Sequence, residues 1–285
     1  MMETELIAPN LFIFAGPNGS GKSTLTQILK QAHNFPPHYI NPDEIALNLS
    51  GDLMGKAYEA SRIAEEQRQQ FLANRQSFAF ETVMSHPSKV LLLEQAQALG
   101  YQVNLFFVGT EDPQINIDRV LERVSEGGHD VPSTKIVERY YRSLALLPAA
   151  IENSNFSTIY DNSKKLTVCG KLEQTQLIVP NKPYTEQPWV ERALQALEQR
   201  ETERTKLSEF AQLYRRSLTK AISDQTQYSG IIETQSLHFV TQAINDSTLI
   251  LHEANFLSGT ATLGQKQQIN YREGAGKIEA TSLNP

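Results

Sequence analysis

An eight-residue stretch, Gly16-Pro17-Asn18-Gly19-Ser20-Gly21-Lys22-Ser23, constrains this chain more than any other. It fits G-x-x-x-x-G-K-[ST] at every fixed position. Before it, Leu11-Phe12-Ile13-Phe14-Ala15 is a short apolar run of the kind that forms a buried parallel strand. After it, Leu25, Ile28, Leu29 and Ala32 recur at i, i+3, i+4 and i+7, one apolar face of a helix. Strand, glycine loop and helix together form the setting of a phosphate-binding loop. The glycines let the backbone curl into a nest of N–H groups, and the helix N-terminus adds partial positive charge. Lys22 then reaches the outer phosphates, and the Ser23 hydroxyl suits Mg²⁺. Gly16, Pro17, Asn18, Gly19, Ser20, Gly21, Lys22, Ser23 and Thr24 are the candidate nucleotide-binding residues, with ATP or GTP as the expected ligand.

From residue 11 to about 180, short apolar runs alternate with helical periods, the rhythm of βαβ units on a parallel sheet. Tyr39-Ile40, Ser77–Phe80 and Val103–Val108 read as strands. Residues 56–75, 87–99, 113–125 and 134–147 read as helices, and Phe156–Tyr160, Leu166–Cys169 and Gln176–Val179 as closing strands. Pro180, Pro183 and Pro188 punctuate a polar linker. Trp189 to about Ser223 reads as a charged helix, striped by Leu207, Phe210, Ala211, Tyr214, Leu218 and Ala221. Residues 227–280 change to short β-rich runs between glycines and polar turns. The expected architecture is α/β: a P-loop NTPase kinase-like parallel sheet flanked by helices over 1–180, a linker and charged helix over 181–225, and a small all-β domain over 226–285.

A net charge of −6 over 285 residues weighs against a nucleic-acid surface as the main partner. Cys169 stands alone, so neither a disulfide framework nor a thiolate metal site is available, which suits a reducing cytoplasm. No run approaches the roughly 20 apolar residues of a membrane span, and the first residues lack the basic stretch of a signal peptide.

In open α/β sheets, ligands bind beyond the carboxyl ends of the strands. Gly16, Asp43 and Glu81 each follow an expected strand, so the three can converge on one cleft. Asp43 suits a base that orients an acceptor hydroxyl, or equally the N-cap of a helix over 44–49. Glu81 suits binding of substrate hydroxyls, positioning of Mg²⁺, or a strand-end ion pair, with Thr82 and Ser85 as hydrogen-bonders on the same loop. Ile117, Val120, Leu121 and Val124 form the expected buried face of their helix, with Arg119 and Arg123 opposite, before a Gly-Gly loop. Two guanidiniums so placed suit a lid over a transferred phosphoryl group, or a solvated face paired with Glu122 and Glu126. Arg139 and Arg142 can join them. His129 reads as a lid hydrogen-bonder, because no second metal-binding residue stands at ligand spacing.

Taken in order, the P-loop, Asn41-Pro42-Asp43-Glu44-Ile45-Ala46, Phe80-Glu81-Thr82, Gly100-Tyr101, Arg119-Val120 with Val124, Gly127-Gly128-His129-Asp130-Val131-Pro132 and Arg139-Tyr140 resemble the zeta-toxin family of P-loop kinases over about residues 8–170. The resemblance implies a kinase using ATP (or GTP) and Mg²⁺. Toxin-type members phosphorylate UDP-N-acetylglucosamine and are checked by a small helical antitoxin over the nucleotide site. By position it makes Lys22 the phosphate-binding lysine, Asp43 the base, Glu81 a contact to the substrate sugar and Arg123 the lid arginine, with His129 or Arg139 standing in for a second. Val83 and Ser85 stand where toxin-type members carry a threonine and an arginine. Residues Tyr228 to Ile278 resemble the small β domain of the plasmid protein KfrB, through Gly230-Ile231-Ile232, His238-Phe239-Val240, Leu251-His252, Gly264-Gln265 and Ile269–Gly276. That implies a mobile-element setting and a role in partner binding.

The leading expectation is therefore a cytoplasmic kinase for a small-molecule hydroxyl, with UDP-N-acetylglucosamine or a related sugar nucleotide foremost. A kinase for nucleosides or nucleic-acid ends, and an ATP-dependent switch in a plasmid complex, are the alternatives. A switch needs no substrate base, so Asp43 separates it from the two kinases.

Overall fold

The computed structural model describes residues 8–31, 33, 35–128, 130–178 and 187–280. It divides into two compact units. One comprises the chain up to Ser85 together with Leu92–Glu191, and the other His86–Leu91 together with Arg192 onward.

The first unit is built on a seven-stranded sheet. Its strands are β1 (Asn10–Ala15), β2 (His38–Ile40), β3 (Phe78–Thr82), β4 (Gln102–Gly109), β5 (Phe156–Asp161), β6 (Thr167–Glu173) and β7 (Gln176–Leu177), in the order β2-β3-β1-β4-β5-β6-β7. The first five run parallel, and β6 and β7 close the edge antiparallel. β1 lies between β3 and β4, and all its residues after Asn10 are buried, as a continuous apolar run requires. Phe12, Phe14, Ala79 and Val108 pack on one face with Leu25, and Phe14 stacks on Phe106 at 5.1 Å between ring centres.

Helices α1 (Lys22–Leu29), α2 (Pro42–Leu47), α3 (Leu53–Ala73), α4 (Ser88–Ala98), α5 (Pro113–Ser125) and α6 (Ser133–Glu152) fill the connections. Local capping sets their starts. Asn41, Asp52 and Asp112 each accept a backbone N–H from the first turn that follows, and Pro42 and Pro113 occupy positions where a missing N–H costs nothing. The cap at Asp52 starts α3 three residues before the expected 56. Helix α6 runs through Pro148, where the sequence pattern stops at 147, because Leu146, Leu147, Ala149, Ala150 and Ile151 are all buried there. Packing over that turn outweighs the lost hydrogen bond. Two expected apolar faces need correction. On α1, Leu25 is buried but Ile28 is mostly exposed, and Ala32 lies outside the described residues. On α5, Leu121 is exposed and Asn116 takes its place beside Val120.

Helix α7 (Pro188–Leu213) gives Pro188–Glu191 to the first unit and the rest to the second. It stops ten residues short of the expected Ser223. Arg215 turns to a left-handed φ of 54°, and the Arg216 N–H donates back to the Ala211 carbonyl, which closes the helix end. Leu218 and Ala221 thus leave the helical stripe: Leu218 lies on a strand, β8 (Ser217–Lys220), and Ala221 joins the core of the second unit. That unit adds β9 (Gln227–Gln235), β10 (Phe239–Asn245), β11 (Thr248–Glu253), β12 (Leu257–Ser258), β13 (Lys266–Arg272) and β14 (Ala275–Ala280). They form a second sheet in the order β12-β14-β13-β9-β10-β11-β8, around Ile232, Val240, Ile250, Ile269, Tyr271 and Ile278. On its other face, Arg200 of α7 meets Glu253 through two hydrogen bonds of 2.8 and 3.0 Å, both side chains buried. The β character expected of the C-terminal part holds, but a helix and an additional strand belong to the same unit.

Candidate active site

The loop after β1 opens α1 with Gly21 as its N-cap, at a left-handed φ of 98°. Gly19 also has positive φ, at 74°. Both glycines are also approached closely: a Cβ on Gly19 would meet the Asn116 backbone carbonyl, and one on Gly21 the Asn162 side-chain amide. Lys22 folds over the loop, and its Nζ donates to the carbonyls of Gly16 and Pro17 at 2.8 Å each. Burial pushes its ammonium down to about 8. The carboxylates of Glu81 and Asp43 work against that push, and the Arg123 guanidinium adds to it. Glu81, Asp43 and Arg123 are therefore each within electrostatic reach of Lys22.

Glu81 is the second-last residue of β3, beside Phe14 of β1 in the parallel register. Its carboxylate accepts from Ser23 Oγ at 2.8 Å and from the Tyr39 hydroxyl at 2.6 Å, and Asn41 Nδ2 donates to the tyrosine oxygen at 3.1 Å. Burial, then the bond to Glu81, raise the Tyr39 phenol above its ordinary range, so it stays a donor. The loop serine is thus tied to a strand-end carboxylate that is itself held from the other side. Asp43 follows β2 as the second residue of α2. The capping role falls to Asn41, whose side chain accepts the Asp43 N–H at 2.9 Å. The Asp43 carboxylate itself is exposed and is not the cap.

Past Glu81 the chain turns sharply. The Met84 N–H donates to Thr82 Oγ1 at 3.1 Å, and Met84 is buried at a left-handed φ of 54°, a strained conformation for such a side chain. The Thr82 carbonyl accepts the Gly16 N–H of the loop at 3.3 Å, but among the described residues no side-chain hydrogen bond or ion pair joins Thr82, Ser85 or Arg139 to Lys22, Glu81, Asp43 or Arg123. Arg139 stands beside Glu138 on α6, and Arg142 pairs with Glu138 at 3.0 Å. His129 lies outside the described residues.

The two arginines of α5 part company. Arg123 acts on Lys22, whereas Arg119 Nη2 donates to the Ser163 carbonyl at 3.4 Å and its Nη1 is buried without a protein partner. Sequence reasoning missed four residues here. Asn116 Nδ2 donates to the Asn18 carbonyl at 2.6 Å, while Thr110 Oγ1 donates to its Oδ1. Asn162 Nδ2 donates to the Ser20 carbonyl at 2.8 Å. Asp161 accepts from the indole N–H of buried Trp189 at 2.8 Å. The available signal was Asp161-Asn162-Ser163 at the carboxyl end of a parallel strand.

The loop fits a polyphosphate. Among the described residues the Ser20 hydroxyl is buried in it without a partner, and Lys22 is bonded to loop carbonyls that a stronger acceptor would displace. The hard oxygens of Ser23 and Glu81 fit Mg²⁺. Among the described residues, no helix is long and apolar enough to cross a membrane, and no three His, Cys, Asp or Glu side chains gather as a metal centre.

Residues 55–170 match the family model of the Zeta toxin, and residues 227–280 that of the KfrB Domain. The P-loop precedes the first match. An uncharacterised protein of Haemophilus influenzae is 29% identical over 128 residues, which cover 45% of this chain and 89% of that protein. A chain of the PezAT chromosomal toxin–antitoxin system of Streptococcus pneumoniae is similar at a TM-score of 0.45 and 17% identity, over 69% of this chain and 87% of the other. A chain of the AvrRxo1-ORF1:-ORF2 complex with ATP is similar at a TM-score of 0.49 and 16% identity over 62% of each chain, so the match spans less than two thirds of its length. By these matches residues 55–170 are similar to the zeta-toxin family and residues 227–280 to the KfrB domain.

Proposed function

We propose that the protein is an ATP-dependent kinase that transfers the γ-phosphate to a small-molecule hydroxyl, with UDP-N-acetylglucosamine or a related sugar nucleotide as acceptor. The observation that carries the reading is the set of charges around Lys22: two carboxylates and a guanidinium, from β3, α2 and α5, act on one loop lysine whose neighbour Ser23 is bonded to one of those carboxylates. A phosphate loop used only as a switch needs no such set. In this reading the loop N–H groups and Lys22 hold the β- and γ-phosphates. Asp43, exposed and free of capping duty, accepts the proton of the acceptor hydroxyl as its oxygen attacks the γ-phosphorus and ADP leaves. Arg123 offsets charge on the transferred group. Glu81, held by Tyr39, orients Ser23, and this supports a metal-side role for it in place of the sugar contact that the family resemblance implies. Mg²⁺ at Ser23 would neutralise phosphate charge. The turn after Glu81, with Val83, strained Met84 and Ser85, is where acceptor choice would be made. A small helical antitoxin covering the nucleotide site is the partner that goes with this activity.

The test is ATP consumption by the full chain with and without UDP-N-acetylglucosamine, with product mass as the readout. The expected result is one phosphate gained by the sugar nucleotide, lost in Lys22→Ala and in Asp43→Ala. Near-normal turnover in Asp43→Ala would remove Asp43 as the base. ATP turnover without a change in the sugar nucleotide would move the acceptor elsewhere.

A further inference from the structure

We infer that Asn116 and Asn162 are positioning residues for nucleotide binding, and that Trp189 holds the second of them in place; the inference rests on the kinase reading above. The argument begins with the planarity of the peptide. A trans peptide points its C=O and its following N–H in opposite directions. The carbonyls of Asn18 and Ser20 share peptide planes with the N–H groups of Gly19 and Gly21. Asn116 Nδ2 holds the Asn18 carbonyl at 2.6 Å and Asn162 Nδ2 holds the Ser20 carbonyl at 2.8 Å. Each amide therefore fixes the direction of one glycine N–H. Those glycines are the soft points of the loop, at φ of 74° and 98°, and a peptide flip beside either would turn a carbonyl toward an incoming phosphate.

Both amides are themselves anchored. The Oδ1 of Asn116, a fully buried side chain, accepts from Thr110 Oγ1, which fixes its amino group toward the loop. The Asn162 backbone N–H donates to the Gly109 carbonyl at 2.9 Å. Asp161, next to it, accepts from Ser163 N at 3.0 Å, from Ser163 Oγ at 2.8 Å and from the Trp189 indole N–H at 2.8 Å. Ser163 Oγ in turn accepts the Glu111 N–H at 2.9 Å. Trp189 fits its pocket closely: a Cβ on Gly109 would collide with the indole, and Phe107 packs against it. A chain of contacts thus runs from the first turn of α7 through the turn after β5 to the phosphate loop, within one unit. Trp189 is the single tryptophan of the sequence, so its fluorescence reports on that turn.

The test is calorimetric binding of ATP with Mg²⁺ to the full chain, beside steady-state kinetics and the melting temperature of the free protein. The variants are Asn162→Ala, the equally sized Asn162→Asp, and Trp189→Phe. Losing one such donor to a buried carbonyl is expected to weaken ATP binding roughly tenfold in Asn162→Ala. Asn162→Asp is expected to weaken it further, because a carboxylate oxygen then faces the Ser20 carbonyl. Trp189→Phe keeps the ring packing and is expected to weaken binding by about threefold. In all three, KM for ATP rises while kcat at saturating ATP stays within about twofold, a split that general loss of structure does not produce. Adding ATP to the wild type is expected to change the Trp189 emission. Wild-type ATP affinity in Asn162→Asp, or a fall in kcat with affinity intact, would overturn the inference and leave the kinase reading standing. A wild-type protein that binds no nucleotide would overturn both.

Discussion

Lys22 is the residue on which the charges of the site meet, and its proton is held loosely. Burial lowers the ammonium to about 8, from an ordinary value of 10.5. In the nucleotide-free protein it therefore discharges as pH rises through about 8. A bound triphosphate favours the charged form and raises that value. Between the two, binding must take up a proton. The expected outcome is proton uptake near zero at about pH 6.5, rising toward one above pH 8, with ATP affinity falling over the same range. Calorimetry in two buffers of different ionisation enthalpy measures it, and Lys22→Met should abolish the uptake. How legible these residues are follows from distance along the chain. Gly16 to Ser23 is readable because its chemistry is local. The amides that grip it come from 98 and 142 residues away, and nothing in the local pattern of Asn116 or Asn162 marks them before β1 is known to lie beside β4. Asp43 was ambiguous for the opposite reason: two neighbouring residues, Asn41 and Asp43, both suit the cap, and only the backbone decides between them.

At the scale of elements, the parallel strands and most helices follow from apolar runs and caps, and the misplaced ends of α7 and α6 share one cause. The pattern at Leu207, Phe210, Ala211 and Tyr214 continues in helical phase to Leu218 and Ala221, so periodicity alone carries α7 too far. What ends it is a parallel pairing of Ser217–Lys220 with Thr248–Leu251, far off in sequence. Likewise α6 passes Pro148 because burial there is complete. Element α7 is held to the second sheet by an ion pair that should be strongly asymmetric in its energetics. Arg200 and Glu253 are both buried. Removing one partner breaks this buried pair, at a cost of about 3–5 kcal/mol, whereas apolar replacement of both is close to neutral. Urea unfolding should therefore show Glu253→Ala far less stable than Arg200→Met combined with Glu253→Leu. The reverse order would mean that the pair is a net source of stability.

At the scale of the whole molecule, acid acts on the second unit through one buried histidine. In the second, His252 is fully buried, its Nδ1 2.9 Å from the Tyr271 hydroxyl and its ring beside Tyr228. Burial drops the imidazole to about 3, from an ordinary 6.5. The unfolded chain therefore binds the proton first. The contribution of neutral His252 is fully present above about pH 6.5 and is lost progressively as pH falls toward 3. Scanning calorimetry at about pH 7 and 5 should show the transition of this unit moving down in acid, and His252→Phe should flatten that dependence.

The position of β1 between β3 and β4 has a consequence for synthesis. A ribosome delivers the phosphate loop early, yet Leu11 pairs with Phe78 and Val103, and the Ser20 carbonyl waits for Asn162. Domains are made from the N-terminus at roughly 5–20 residues per second. A nascent chain thus carries its nucleotide motif for several seconds before a nucleotide site exists. A product truncated before Asn116 would hold the full motif and neither of the amides that grip it. The order of strands leaves unfinished copies of the chain without a fully held phosphate loop until the turn after β5 has left the tunnel.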